Sequence, residues 1–401
     1  VSGSRARRLS ARRAERRRAA RRGAMVAVAS VVVAVGTVTG TMSAVGDGRG
    51  ADEARPVVSS SSRPEPPPPA VPPHSHSPSP SATKSPSPTA GPEKKASPKA
   101  SASRAGEKRR TAPVSTRLYR HPDSQVLDWV RAHPDDPRRA VIESRIADRP
   151  AAVWFADHSP ESITSRVRAV VSGGAAQGRT PVLVPYAIPD RDCGGHSEGG
   201  APDLAAYDAW IDRFAAGLGG GEVIVILEPD AVAQSECLSA GQRAERFASL
   251  ARAGRVLKDA NPRARVYFDA GHSGWHAPAE QAALLRQAGA ASAASSDGVF
   301  SNVSNFHATA DEVAYDRAVL DALGGPPGLG AVIDTSRNGN GAPADGAWCD
   351  PAGRKLGRTP TLSTEEAGID AYLWVKLPGE SDGCKGAPGT FTPSYAYDLA
   401  R

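Results

Sequence analysis

The sequence predicts an α/β fold: a distorted, incomplete (β/α) barrel of about seven mainly parallel strands, behind a disordered Pro/Ser-rich linker. Three observations carry this reading. From residue 116 onward, short apolar runs alternate with amphipathic stretches. Several of those runs end in a carboxylate or an amide. Composition changes abruptly at Pro113, where ordinary globular sequence begins.

The apolar runs come in order at 151–156, 180–189, 222–229, 264–271, 298–305, 330–336 and 370–378. Each is rich in Val, Ile, Leu, Phe or Tyr and short enough for a buried strand. Between them, helical periodicity marks 203–218, 241–260, 277–289 and 311–323. Two further helices lead in. In 124–133, Val126, Leu127 and Val130 share a face; in 135–147, Pro137 sits in the first turn and Val141, Ile142 and Ile146 line one side. Trp129 and Trp210 fall in helices and Trp374 in a strand, so all three are expected to pack inside. Seven strands in one globular segment favour a barrel over an open sheet.

The rest of the chain is built differently. Residues 1–23 hold ten arginines and one acid, Glu15, and residues 24–46 carry no charge. A basic stretch before an apolar one reads as a signal peptide or membrane anchor over 1–46. It touches the membrane through that segment alone and implies a secreted or membrane-tethered protein. Residues 47–113 are rich in Pro, Ser and Lys and cannot bury a core, so they are expected to form a disordered spacer. At ~3.1 Å per residue in polyproline geometry, roughly 60 such residues reach on the order of 150 Å. His74 and His76 lie in this spacer and carry no metal-site pattern.

The formal charge of +6 conceals a division. The first 23 residues contribute +9 and the linker +5, which leaves −8 for residues 114–401. A domain of that sign is a poor partner for nucleic acid, whose phosphates need clustered Lys and Arg. Four cysteines, Cys193, Cys237, Cys349 and Cys384, all lie in the globular part without a close CxxC pair. That excludes the usual zinc spacing and favours disulfides in an oxidising compartment. No metal and no cofactor are expected, and the chain is expected to act as a monomer.

Polar residues close successive strands: Asp192 beyond the second, Asp230 after the third, Asp269 in the fourth, Asn302 and Asn305 in the fifth, Asp334 in the sixth, and Asp382 after the last. In a (β/α) barrel, the loops after the strands build the active site. One such Asp would be explained as a helix cap. A series of them points to convergence in one cleft.

Seven blocks then give the domain a family resemblance. They are YAIPDRDCGGHSEGGA (186–201), ILEPDAVA (226–233), YFDAGHSGWHAP (267–278), NVSNF (302–306), VIDTSRNGNG (332–341), WCDPAGRKLG (348–357) and DAYLWVKLPGESDG (370–383). In this order they resemble glycoside hydrolase family 6, the inverting cellulases, over residues 114–401. The resemblance implies hydrolysis of internal β-1,4 bonds in cellulose or a related β-glucan. It implies Asp230 as the general acid and Asp192 as the neighbouring acid that raises its pKa. Asp382 matches the proposed base, and the water's proton is routed to Asp382 or Asp192. Asp269 matches an acid that tunes the site and holds substrate, and Tyr186 the residue that distorts the sugar ring. Trp154, Trp275 and Trp348 match stacking platforms, and Lys376, Glu380, His272 and Asn305 match substrate-binding positions. The pairs Cys193–Cys237 and Cys349–Cys384 follow from the same resemblance, as does a mobile flap at 193–201.

The chain departs from the family pattern at Ala187, where Asn is common, and at His307 and Ala308, where relatives carry a larger residue facing the leaving-side sugar. Only six residues separate Gly341 from Trp348, and seventeen follow Cys384. Such short loops leave a groove rather than a tunnel and imply endo action. The competing readings are an exo-acting cellobiohydrolase, a hydrolase of another β-glycan such as chitin, and a catalytically weak glucan-binding wall protein.

Overall fold

The computed structural model describes residues 117–195 and 197–401. The expectations for the signal or anchor (1–46) and for the whole linker (47–113) fall outside these residues. Among the described residues, no helix is long and apolar enough to cross a membrane.

Seven strands form one sheet in sequence order, and every pair is parallel. They are β1 (Val153–Phe155), β2 (Val182–Pro185), β3 (Val223–Leu227), β4 (Ala264–Asp269), β5 (Gly298–Ser301), β6 (Gly330–Asp334) and β7 (Ile369–Leu373). All seven coincide with apolar runs in the sequence. Several stop sooner than those runs because a left-handed residue follows: Glu228 (φ 48°) ends β3 and Asn302 (φ 64°) ends β5. The helices are α1 (Gln125–Ala132), α2 (Arg139–Ile142), α3 (Ile163–Ala176), α4 (Leu204–Ala215), α5 (Ala240–Ala260), α6 (Pro278–Gln287), α7 (Thr309–Leu323) and α8 (Pro393–Ala400). A π-helical turn, Glu143–Ala147, extends α2. Side chains start several of them: Ser124 accepts from the Leu127 N–H, Asp203 from the Ala206 N–H, and Ser239 forms a capping box with Gln242.

Strand residues alternate between two cores. On β3, Ile224 and Ile226 point into the barrel, while Val223, Val225 and Leu227 meet the helices. Val184, Tyr267, Phe300, Val332 and Leu373 fill the interior from the other strands. Both faces are thus apolar, which is why the strands read as unbroken hydrophobic runs. Trp210 and Trp374 are fully buried and Trp129 is nearly so, as their positions in the sequence imply.

The barrel does not close by strand pairing. Among the described residues, β1 and β7 share no ladder, and two bonds span the seam instead. The Ala152 N–H donates to Trp374 O at 2.9 Å. The Trp154 indole Nε1–H donates to Val375 O at 2.7 Å. The seam matters because the loops on its two sides form the walls of the site.

One glycine is demanded by this sheet. Gly298 opens β5 with φ 143°, and a Cβ there would stand 1.7 Å from the Gly330 carbonyl oxygen of β6. Gly298→Ala must therefore push two paired strands apart. We expect a loss of roughly 3 kcal/mol or more and a melting temperature lower by on the order of 5–10 °C, measured by circular dichroism. An unchanged melting temperature would show that the pair is not packed this closely.

Candidate active site

All seven strands end on one rim, so their following loops share one mouth. There a cleft of about 1130 Å³ runs from the β1 side (Trp154, Gln125) to the β7 side (Lys376, Glu380). The backbone of this rim is unusual. Among the described residues, eight non-glycine residues with positive φ lie in the loops that leave the strands' C-terminal ends: Asp190, Asp192, Cys193, Glu228, Asp230, Asn302, Ser304 and Asp350. Such conformations cost of order 1–3 kcal/mol each and persist only where surrounding contacts over-determine them.

The Glu228–Pro229–Asp230 turn shows how. Glu228 (φ 48°) and Asp230 (φ 69°) both adopt the left-handed region. The Glu228 N–H donates to Pro185 O, and the Gln234 N–H donates to Asp230 O at 2.8 Å. Buried Glu228 accepts from the Ala187 N–H at 2.8 Å and the Ile188 N–H at 3.0 Å, which ties this turn to the loop after β2. Burial raises the Glu228 carboxyl to about 7 against these hydrogen bonds. Asp269, at the end of β4, accepts from the Val232, Ala233 and Gly271 N–H groups at 3.2, 2.8 and 3.0 Å. Asp230 is therefore held from both neighbouring strands.

Asp230 itself lines the cleft. Its carboxyl is pushed well above the ordinary aspartate range, first by burial, then by the negative charges of Asp269 and Asp192. On the same wall, Asp192 (φ 59°) accepts from the Ser197 N–H at 2.6 Å. Arg191 stacks its guanidinium 4.4 Å from the Tyr186 ring and donates to Ala156 O at 2.8 Å and Ser197 O at 2.9 Å. Arg246 reaches from α5 to Pro189 O at 2.9 Å and Asp190 O at 3.1 Å. The Cys193–Cys237 disulfide joins the Asp192 loop to the segment after Asp230. Closing 44 residues, it is worth about 4 kcal/mol in the chain-entropy account. The Tyr186 hydroxyl is raised beyond the ordinary tyrosine range, by burial first and then by Asp230 and Asp192.

The opposite wall is built around Asp382. Its Oδ2 accepts from Arg337 Nη1 at 2.7 Å and from the Asp350 N–H at 3.1 Å, while Lys376 Nζ lies 3.5 Å from Oδ1. Arg337 is fully buried and also donates to Ser304 O. Its guanidinium lies 4.4 Å above the Phe306 ring. Glu380 is raised to about 7 by burial, opposed by Lys376 and Arg337. The second disulfide, Cys349–Cys384, brackets this wall.

Aromatic groups complete the cleft. Trp154 meets the Tyr186 ring edge-on at 5.2 Å, Trp275 lies 5.4 Å from His272, and Trp348 is 53% exposed. His272 stacks on His307 at 4.2 Å. Burial, then the charges of His307 and His276, lower the His272 imidazole to about 3, so it is neutral at any working pH.

The structure thus gathers nearly all the residues singled out from sequence. Asp192, Asp230, Asp382, Tyr186, Trp154, Trp275, Trp348, Lys376, Glu380, His272 and Asn305 line the one cleft. Asp269 does not: it is 2% exposed and faces backbone N–H groups behind the wall. Asp334 and Asn302 are likewise buried scaffolding. Ala187 is fully buried in the helix-side core, so its side chain stands away from the cleft, whereas His307 forms part of the cleft surface. The loop after Asp192 borders the cleft through Gly195, Ser197 and Glu198. The sequence pattern alone marks no role for Glu228, Arg337 or Asp350. Each sits inside a motif block, but a lone charge in a loop gives no sign of what it holds. Among the described residues, no group of His, Cys, Asp and Glu could hold a metal ion.

Comparison with known proteins agrees with this geometry. The model of glycosyl hydrolases family 6 matches residues 113–396. Endoglucanase 1 of Streptomyces sp. (strain KSM-9) is 53% identical over 291 residues, covering 72% of this chain and 79% of that protein. Endoglucanase A of Thermobispora bispora is 49% identical over 284 residues, covering 71% of this chain and 61% of that protein. Among solved structures, the endoglucanase Cel6 of Mycobacterium tuberculosis, in complex with a thio-linked methyl cellobiosyl cellobioside, superposes with a TM-score of 0.65 at 39% identity. That match covers 71% of this chain and 96% of the solved one. With its parallel half-barrel, its rim of carboxylates and its matched motifs, the chain is a glycoside hydrolase and belongs to glycosyl hydrolases family 6.

Proposed function

We propose that the protein hydrolyses internal β-1,4-glucosidic bonds of cellulose or a related β-glucan, with inversion at the anomeric carbon. One observation carries this reading: Asp230 sits in a tryptophan-lined cleft with its carboxyl raised by burial and by Asp269 and Asp192. Cleaving an acetal with a poor leaving group needs an acid that still holds its proton near neutral pH. Asp230 gives that proton to the glycosidic oxygen as the C1–O bond breaks. Water attacks C1 from the opposite face and loses its proton to a base. Asp382 fits the base, because its Oδ2 is taken by Arg337 and the Asp350 N–H, which leaves Oδ1, 3.5 Å from Lys376 Nζ, for the incoming proton. Inverting geometry places acid and base roughly 6.5–9.5 Å apart, with room for that water.

The remaining residues hold the glucan. Trp154, Trp275 and Trp348 offer faces to sugar rings, and Lys376, Glu380, His272 and Asn305 offer polar groups. Tyr186, wedged against Trp154, presses on the ring at the cleavage point. Asp192 supplies charge beside the acid, and Asp269 acts from behind by holding the Asp230 loop. The two disulfides fit an oxidising compartment, in keeping with secretion.

Endo action is supported by the short 342–347 segment and by the exposure of Trp348 beside it, which leave the cleft unroofed there. Carboxymethylcellulose viscosity is expected to fall fast relative to the reducing ends released. Slow viscosity loss with cellobiose dominant from the first minutes would favour the exo reading.

Asp230→Asn should lower cellulose hydrolysis by on the order of 10²–10⁴-fold, yet spare much of the rate on a cellotrioside with a good nitrophenol leaving group. In the native enzyme, activity needs protonated Asp230, so it should fall as pH rises through that group's elevated pKa. The variant should lose this alkaline limb on the aryl substrate. Proton NMR of fresh products should show the α-anomer first. Initial β-anomer would overturn the inverting mechanism, and equal losses on both leaving groups would remove Asp230 from the acid role.

A further inference from the structure

We infer that Asp350 is the positioning residue of the reaction's base: it fixes which oxygen of Asp382 receives the proton from water. The inference rests on the reading of Asp382 as that base.

Asp350 is 4% exposed and adopts a left-handed φ of 47°, an uncommon state for a residue with a Cβ. Its carboxylate gathers donors from one short segment. Oδ1 accepts from the Asp382 N–H at 2.8 Å. Oδ2 accepts from the Ser381 hydroxyl at 2.6 Å, the Cys384 N–H at 3.0 Å and the Lys385 N–H at 2.9 Å. In return, the Asp350 N–H donates to Asp382 Oδ2 at 3.1 Å. The clasp is reciprocal: the side chain of Asp350 holds the backbone of Asp382, and the backbone of Asp350 holds the side chain of Asp382. The Cys349–Cys384 disulfide ties the same two segments one residue from the clasp on one side and two on the other.

The consequence concerns orientation. With Arg337 Nη1 at 2.7 Å and the Asp350 N–H both on Oδ2, the carboxylate cannot rotate freely about its Cβ–Cγ bond. Oδ1 is left as the oxygen presented past Lys376. The left-handed turn at Asp350 aims its N–H at Oδ2, and the four donors on its own carboxylate keep it in that turn. A disulfide alone would hold the two segments near each other without fixing this angle. Small displacements of a reacting group are expensive, and an error of about 1 Å can cost on the order of 10²-fold in rate.

Asp350→Asn tests this, because it keeps the shape but replaces one accepting oxygen with an NH₂ group that faces N–H donors. On an aryl cellotrioside, kcat is expected to fall roughly 10- to 100-fold with KM changed less than about threefold, since Trp154 and Trp275 lie outside the clasp. Ser381→Ala, which removes a single donor, should lower kcat in the same direction by less, and it provides a second test if Asp350→Asn does not fold. The deciding arm is a double-mutant cycle with Asp382→Ala. If Asp350 acts through Asp382, adding Asp350→Asn or Ser381→Ala to Asp382→Ala should cost nothing further in kcat. Effects that multiply instead would overturn the inference while leaving Asp382 as the base. An Asp382→Ala enzyme with near-native kcat would overturn the reading of Asp382 and the inference with it.

Discussion

Negative charge crowded into a space with little water is the constraint around which this enzyme is arranged. Parallel strands in sequence order deliver all their following loops to one rim. The loops after β2 and β3 bring Asp192, Glu228 and Asp230 there, against Asp269 at the end of β4. They cannot all ionise at ordinary pH without large cost. The chain resolves the conflict by giving each carboxyl a different set of partners. Glu228 and Asp269 each accept from two or more backbone N–H groups and serve as brackets. Asp230 receives no such support in its described contacts, and the charges of Asp269 and Asp192 bear on it. One chemical group, placed in environments that differ by a few hydrogen bonds, becomes scaffold at Asp269 and the proposed acid at Asp230.

The same logic organises the far wall with the sign reversed. Arg337 and Lys376 stand on either side of Asp382, so one carboxylate faces two cations. The two walls therefore differ electrostatically: a proton-retaining side around Asp230 and a cation-lined side around Asp382. The inverting hydrolysis proposed above would use that asymmetry, one group to give a proton and another to take one. The open seam between β1 and β7 lets the two walls stand apart, and the Trp154 indole that bridges it is also a wall of the cleft. Left-handed turns at Asp192, Glu228, Asp230 and Asp350 concentrate backbone cost at the rim, where hydrogen bonds and disulfides hold it.

Much of this was legible in the sequence. The seven strands were readable because both faces of each are buried, which leaves uninterrupted runs such as Val223–Leu227. The helix Ile163–Ala176 was not marked by its pattern: β-branched residues and the Gly173–Gly174 pair weaken its helical signature. The Pro393–Ala400 helix is too short to declare itself. Asp230, Asp192 and Asp382 were legible as acids at strand ends, and all three line the cleft; the roles proposed for them come from the motif blocks. Burial was not. Asp269 ends its strand as Asp230 follows its own, yet the fold turns one to backbone N–H groups and the other to the cleft. Glu228, Arg337 and Asp350 escaped for a related reason: their meaning lies in contacts 35 to 45 residues away, such as Arg337 to Asp382, Asp350 to Lys385 and Glu228 to Ala187.

The proposed chemistry requires that Asp230 hold its proton in the native, substrate-free cleft. Carbon-13 NMR of the aspartate side-chain carboxyl groups, with Asp230 assigned by comparison with its Asn variant, reads this directly. The Asp230 carboxyl should titrate well above the ordinary aspartate value of about 4 and share its curve with Asp269. A single, independent titration of Asp230 near or below 4 would contradict it, because no crowding of charge would then separate the acid from the carboxylates that surround it.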